Sequence, residues 1–379
     1  MEFNIREIAG NARNNLKEKL LTLSETIWRS PLSRVGSIRL LQDAIVYKAD
    51  SPSVNLPEIK IDSKHVTCHQ NIRLKAVSDY IWQLKTGERI KSLKVCRSGS
   101  ILLNNKRLLD LDFGCYAGLL ESPVKTNIIK YPLVIAPWSH FWGAYYDYVF
   151  YVLAKLCRIE ETFGKDIWKE ARICYPLFKT HFEEEFLAKL GIPPENIIDT
   201  SRNWTTAIEA DCIIAGNNQE SWTPSLHDML LLKKRFCGDR PAVKEKKRLY
   251  IVRAERRKVK NENAVREVLR AYNFDIIEDV TRTVDEQIEL FRSASIIIAP
   301  HGAALTNLLW CDKGTTIVEC FNQSYMPNYY YYMSTVLEHN YRCLVNYSAS
   351  KPSSHWSNTA EDIHINIADL KKTLAAILQ

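Results

Sequence analysis

At 379 residues the chain is long for one hydrophobic core, and at roughly 150 residues per domain it predicts two domains. Hydrophobic residues make up 46% and charged residues 25%, which excludes disordered, collagenous and coiled-coil chains; a chain of this size needs neither disulfide nor metal to hold its core. Lys and Arg total 51 against 44 Asp and Glu, a net charge of +7, a modest excess that favours an anionic ligand or an anionic membrane surface.

Met1-Glu2-Phe3-Asn4-Ile5-Arg6 lacks the basic-then-apolar order of a signal peptide, and no apolar stretch is long enough to span a bilayer. Leu16, Leu20, Leu23, Ile27 and Trp28 share one side of an amphipathic helix, which reads as a helix packed on its own domain. From there to about residue 125 no element can be assigned. Tyr131–Ala136 is then a predicted strand, Tyr146–Arg158 a helix and Arg172–Tyr175 a strand. A further helix runs to Leu190, stopped by Gly191-Ile192-Pro193-Pro194, and Asp211–Gly216 is the next strand. Turn residues Gly238-Asp239-Arg240-Pro241 mark the linker.

Beyond the linker the pattern is clearer. Arg248–Val252 is a short apolar strand, Asn261–Tyr272 a helix with Val265, Val268 and Leu269 on one stripe, and Phe274–Ile277 a strand. Thr283-Val284-Asp285-Glu286 is a capping box that opens a helix burying Ile288 and Phe291. Ser295–Pro300 is apolar on both faces, as in a covered parallel sheet, and a helix over Ala303–Trp310 leads to the strand Thr315–Glu319. Strand and helix alternate at doubly wound spacing. The expectation is an α/β protein of two lobes: 1–240 the N-terminal lobe, 241–350 the C-terminal lobe, and 351–379 a tail and helix crossing back to the N-terminal lobe. Ligands of such open sheets bind outside the C-terminal ends of the strands.

Ten cysteines contain no Cys-x-x-Cys, and several sit in apolar runs such as Ile173-Cys174-Tyr175. They read as free thiols in a reducing compartment. The glycines form neither Gly-x-Gly-x-x-Gly nor a P-loop, which counts against dinucleotide oxidoreductases and ATPases.

The most informative segment is Pro300-His301-Gly302-Ala303-Ala304-Leu305-Thr306-Asn307, directly after a buried strand. Gly302 permits a tight turn and close approach of a ligand, Ala303 and Ala304 keep that surface clear, and the following helix aims its amides at the turn. His301 and Asn307 add side-chain donors. Arg253 and Arg257 follow another strand end, where guanidinium groups suit phosphate oxygens better than ammonium groups do. The same two segments also fit an ordinary strand-to-helix turn and a solvated basic loop.

Together these residues resemble glycosyltransferase family 61. The shared features, in order, are a strand ending in arginine, Arg257-x-Val259-x-Asn261-Glu262, the Glu286-Gln287-Ile288 helix start, His301-Gly302-Ala303-Ala304-Leu305-Thr306-Asn307, and Ile317-Val318-Glu319. The resemblance implies two Rossmann-like lobes facing each other across a cleft, the GT-B-like arrangement, with a nucleotide diphosphate sugar in the C-terminal lobe and inversion at the anomeric carbon. Arg253, Arg257, Asn261, Glu262, His301, Gly302, Ala303, Ala304, Thr306 and Asn307 become donor-binding candidates, and Glu319 a candidate for the ribose hydroxyls. In the N-terminal lobe Asp147 matches the family's acid, whereas its His-Trp pair falls on Gly143-Ala144, with His140 and Trp142 just upstream. An inverting transfer needs one general base on the acceptor hydroxyl; Asp147 is the first candidate and His140 the second.

The expected activity is therefore an inverting transfer from a nucleotide-sugar co-substrate, with a UDP-sugar as donor, to a glycan or glycolipid hydroxyl in surface-polysaccharide assembly. No metal or other cofactor and no nucleic acid are expected. The expected place is the cytoplasm, with peripheral contact at the inner face of the membrane. Three alternatives stand beside it: a metal-dependent transferase built on Asp110-Leu111-Asp112, a basic nucleic-acid-binding protein using Lys244–Lys260, and a nucleotide-binding scaffold without activity. His65-x-x-Cys68-His69 and Tyr329–Tyr332 are weaker signals, for zinc and for ring stacking respectively.

Overall fold

The computed structural model describes residues 34–61, 66–108, 124–137, 143–217, 223–346 and 360–378. The amphipathic segment 16–29, Asp110-Leu111-Asp112, His65 and His140 lie outside them. The chain forms two units: one from the described residues up to Asp50 together with Ser78–Leu231, the other from Ser51–Val77 together with Leu232 onward. No described helix is long and apolar enough to cross a membrane.

Elements before the predicted region are short. They are the helix Arg34–Gln42 and strands β1 (Ile45–Ser51), β2 (Val54–Leu56), β3 (Ile59–Ile61), β4 (Val66–His69), β5 (Ile72–Leu74), β6 (Val77–Lys85), β7 (Leu93–Val95), β8 (Ile101–Leu103) and β9 (Lys106–Arg107). Most have three or four residues, too few for a period-two pattern to stand out.

In the first unit β10 (Asn127–Ile135), β11 (Arg172–Tyr175), β12 (Ile197–Asp199) and β13 (Thr206–Gly216) are parallel and lie side by side in the order β12–β11–β10–β13. β13 is long enough to pair on its far side with β7 through Ile208–Ala210 and with β6 through Cys212–Gly216, both antiparallel. Val134, Ile213, Leu84 and Leu93 fill the core beneath. The predicted helix after β10 extends over Tyr145–Asp147, a π-helical stretch Tyr148–Leu153 and Ala154–Phe163. All residues from Tyr148 to Ile159 are buried, Lys155 and Arg158 included, so the segment is enclosed on every side. Gly191 ends the helix His181–Leu190 at φ 79°, a left-handed cap that glycine adopts without steric cost.

A buried polar cluster joins the C-terminal end of β13 to its surroundings. Arg158 donates to Tyr80 O (2.9 Å), Asn217 Oδ1 (2.8 Å) and Asn217 O (2.8 Å), and pairs with Asp228 at 3.0 Å. Asp79, fully buried, accepts from Ser225.

In the second unit β14 (Lys247–Ile251), β15 (Phe274–Ile277), β16 (Ala294–Pro300), β17 (Thr316–Asn322) and β18 (Asn340–Asn346) form one parallel sheet in the order β15–β14–β16–β17–β18. The predicted capping box is present: Glu286 N donates to Thr283 Oγ1 at 3.2 Å, and Thr283 N donates back to Glu286 Oε2 at 2.7 Å.

Two expectations about boundaries change. The C-terminal helix Ile367–Ile377 does not leave the second unit: Leu370 and Leu374 sit in one core with Tyr250, Val265, Leu269 and Ile298. Asn261 fixes the segment before it, its side chain donating to Ile365 O (2.7 Å) and accepting from Ile365 N (3.0 Å). The second change is that residues 51–77 belong to the second unit. Tyr331 Oη donates to Pro57 O at 2.7 Å, and Cys68 on β4 is disulfide-bonded to Cys343 on β18. This bond departs from the free thiols expected, while Cys174, Cys212, Cys237, Cys311 and Cys320 are free thiols. Peptide mapping of unreduced, alkylated protein should recover the Cys68 and Cys343 peptides as one linked species; two separately alkylated peptides would refute the pairing.

Candidate active site

The strand order of the second unit creates a topological switch point. β14 comes first in the chain, yet β15 lies on one side of it and β16 on the other. The loops leaving β14 and β16 therefore diverge, and ligands of open α/β sheets bind outside the strand ends at such a switch point. The two loops are 252–261, carrying Arg253 and Arg257, and the turn His301-Gly302. The two segments that carried chemistry in the sequence are thus neighbours.

Both arginines are half-buried and converge on one acceptor. Arg257 Nε donates to His301 O at 3.0 Å and Arg253 Nη1 to the same oxygen at 3.4 Å; Arg253 Nε also donates to Arg256 O. Arg257 adopts φ 60°, an uncommon conformation for a side-chain-bearing residue. Its amide bonded to Ala360 O at 3.3 Å helps hold it there. Burial lowers the pKa of Arg253, and burial together with the Arg253 charge brings Arg257 to about 10. Both remain cationic at neutral pH, and an anion placed between them would relieve their mutual repulsion.

Gly302 matters for a reason other than the one expected. Its φ is 175°, extended backbone open to any residue. What excludes a side chain is Arg253: a Cβ on Gly302 would stand 1.5 Å from Arg253 Nη1. The guanidinium, and not the ligand alone, makes the close approach. Gly302→Ala should therefore fold normally but displace that guanidinium, weakening nucleotide-sugar binding by about tenfold, a loss of about 1.4 kcal/mol; isothermal titration checks this, and native affinity would show that Arg253 is not needed there.

The helix Ala303–Trp310 follows, and it is 3-10 rather than α. Its first backward bond is Leu305 N to Gly302 O at 3.0 Å, so the amides of Ala303 and Ala304 stand at its open end, positioned for an anion. Ala304 is exposed and Ala303 half-exposed.

The remaining motif residues hold the turn from behind. His301 is buried, its Nδ1 2.5 Å from Glu319 Oε1, its ring stacked on Phe321 and ringed by Tyr325 and Tyr330 at 5.5 and 5.4 Å. Burial lowers its pKa, and the Glu319 carboxylate pulls in the opposite direction. Glu319 itself is fully buried and its other oxygen accepts from Tyr341 Oη at 2.6 Å. One of its oxygens thus meets His301 and the other Tyr341. Asn307, also buried, donates to Gln287 Oε1 (3.0 Å) and accepts from Trp310 Nε1 (2.9 Å). Thr306 is buried on the same helix. Glu262 accepts from Tyr250 Oη at 2.9 Å and pairs with Arg266 at 2.8 Å. Asn261 and Glu262 thus brace the loop and do not line it.

Tyr325, Tyr341 and His69 were not singled out as parts of this site from the sequence. Tyr325 carries the Arg257 guanidinium 5.7 Å above its ring centroid. His69 stacks on Tyr331 (5.2 Å) and its Nε2 lies 3.3 Å from Tyr341 Oη. The histidine was visible only as part of a poor zinc motif. Among the described residues no three His, Cys, Asp or Glu gather as a metal would require.

Asp147 stands in the first unit, buried, at the start of the helix that follows β10. Its Oδ2 accepts from Ala144 N at 3.0 Å, so the carboxylate caps the helix directly before the π-helical stretch.

Residues 177–318 match the family model described as Glycosyltransferase 61, and no curated protein matches the chain. The matched segment contains Arg253, Arg257 and the His301–Asn307 turn. The sequence order of these motifs and their meeting at the switch point agree with that match, which makes residues 177–318 similar to glycosyltransferase family 61.

Proposed function

We propose that the second unit binds a nucleotide diphosphate sugar, a UDP-sugar first among candidates, and that the enzyme transfers the sugar with inversion to a hydroxyl of a glycan or glycolipid. The observation that carries the donor site is the convergence of Arg253, Arg257 and the open end of the Ala303–Trp310 helix at the β14/β16 switch point. In the reaction the acceptor oxygen bonds to the anomeric carbon, and the bond from that carbon to the phosphate oxygen breaks on the opposite face. The nucleoside diphosphate leaves with the electron pair, and a general base takes the acceptor proton. Guanidinium groups and helix amides stabilise the charge growing on the leaving diphosphate. Asp147 is the proposed base, and the pairing of two Rossmann-like units in the GT-B manner is part of the same proposal.

A thermal-shift screen across UDP-, GDP-, CMP- and TDP-sugars tests it. A ligand at a hundred times its Kd stabilises a fold by about 2.7 kcal/mol, so the true donor should stand out by several degrees. No shift with any of them would overturn the reading. Turnover that survives EDTA would support metal-independent catalysis, and turnover abolished by EDTA would favour the Asp110-Leu111-Asp112 alternative.

The nucleic-acid alternative draws less support, because three cations of the basic run, Lys246, Lys247 and Arg248, are engaged within the protein. Lys246 bonds Arg292 O (2.7 Å) and Asp312 (2.6 Å), Lys247 pairs with Asp275 (3.8 Å), and Arg248 donates to Tyr272 O (2.8 Å). The cytoplasmic expectation turns on the Cys68–Cys343 bond, since disulfides persist in oxidising compartments: a linked pair in native protein counts against the cytoplasm, free thiols for it.

A further inference from the structure

We propose that Glu319, acting through His301 and backed by Tyr341, is a positioning residue for the donor diphosphate; this rests on the donor reading above. A fully buried carboxylate is costly to keep, and its usual remedy is a salt bridge to Arg or Lys. Glu319 instead spends one oxygen on His301 Nδ1 (2.5 Å) and the other on Tyr341 Oη (2.6 Å).

The strand register explains how the three meet. Ala299 of β16 pairs with Glu319 of β17, and Ile317 of β17 pairs with Tyr341 of β18. Glu319 thus lies beside the last residues of β16, with the histidine of the turn on one side and the phenol on the other. A tyrosine hydroxyl donates and a carboxylate accepts, so the proton between ring and carboxylate belongs to His301 Nδ1. That fixes the imidazole as the Nδ1–H tautomer and locks its orientation against Phe321.

The consequence reaches the site through the main chain. The carbonyl of His301 is the oxygen on which both Arg253 and Arg257 converge, and its amide donates to Cys320 O at 2.9 Å. Holding the ring therefore holds the carbonyl, and the carbonyl holds the guanidinium pair. At the other end of the relay His69, delivered by the 51–77 segment, contacts Tyr341 Oη at 3.3 Å. The residues furthest from the site are thus anchored by β4, beside the Cys68–Cys343 bond.

Glu319→Gln tests the role because it keeps shape and removes charge. The glutamine amide can meet either ring nitrogen state, so the fold survives while the tautomer is released. Three readouts are taken on native and variant protein: the melting temperature, the tautomer of His301 by 15N NMR of the imidazole, and the Kd and KM of the UDP-sugar against kcat. The expected result is a melting temperature within a few degrees of native, loss of the single Nδ1–H signature, and a donor Kd raised about tenfold. Donor KM should rise by a similar factor, with a smaller change in kcat. Tyr341→Phe should move donor Kd in the same direction by a smaller factor, and it serves in place of Glu319→Gln should that variant fail to fold. A folded variant with native donor Kd, while native protein binds the donor, overturns the positioning role alone. Native protein that binds no nucleotide sugar overturns the donor reading and this role together.

Discussion

Arg253→Ala is expected to lower kcat/KM for the nucleotide-sugar donor at least a hundredfold, equivalent to about 2.7 kcal/mol of transition-state stabilisation, while leaving the melting temperature within a few degrees of native. The size follows from what the side chain does. Its Nη1 lies over Gly302 so closely that no Cβ fits there, and it shares the His301 carbonyl with Arg257. Its hydrogen bonds run to main-chain oxygens of the turn and of Arg256, so truncation strips no buried carboxylate of its counter-charge, and stability changes little. Charge on the leaving diphosphate, by contrast, loses a donor fixed in advance at the place where it develops, a loss that costs about a hundred- to a thousandfold in comparable sites. Arg257→Lys should also fail to rescue: an ammonium offers no planar fork to span the His301 carbonyl and a phosphate oxygen at once. Steady-state kinetics with parallel thermal melts decide the matter. A folded Arg253→Ala enzyme turning over at the native rate would take the arginine out of the site.

The second large effect is on folding. Arg158→Ala should destabilise the protein by about 3–5 kcal/mol, because it leaves a buried carboxylate without its partner. Arg158 and Asp228 are both almost completely buried, and the arginine alone reaches Tyr80 O, both oxygens of Asn217 and Asp228. Burial is the largest influence raising the Asp228 carboxyl, Arg158 pulls it back towards the charged form, and the neighbouring Asp79 pushes it up. Removing the guanidinium therefore forces Asp228 to take a proton or the cluster to open. The double variant Arg158→Met with Asp228→Asn should recover much of the loss, since it removes both charges together. Urea denaturation of the three proteins checks this; an Arg158→Ala midpoint equal to native would show that the cluster carries no stability.

What the sequence made legible, and what it hid, follow from the range of the interactions. Four of the five strands of the second unit were readable as short apolar runs, such as Ile296–Ala299, while β18, half-exposed at the sheet edge, was not; the Thr283–Glu286 box marked a helix start through bonds three residues apart. Before residue 125 most strands are too brief to announce themselves, and some partners lie far away: β4 meets β18 through cysteines separated by 275 residues. No local pattern records such a pairing. The site divides in the same way. Arg253, Arg257 and the His301–Asn307 turn were legible as chemistry because strand ends and a helix start place them at one edge. The partners of Glu319 were not, because a strand-end acid reads alike whether its oxygens face a ribose or, as here, a histidine of the turn and a tyrosine of β18. Gly302 was legible as a glycine that something must approach; that the something is Arg253 is a contact between loops 49 residues apart in numbering.

The most direct measurement is a crystal structure of the protein with UDP. The diphosphate should lie within hydrogen-bond reach of the Arg253 and Arg257 guanidinium groups and of the Ala303 and Ala304 amides, at the C-terminal ends of β14 and β16. UDP bound elsewhere, with those groups untouched, would contradict the account.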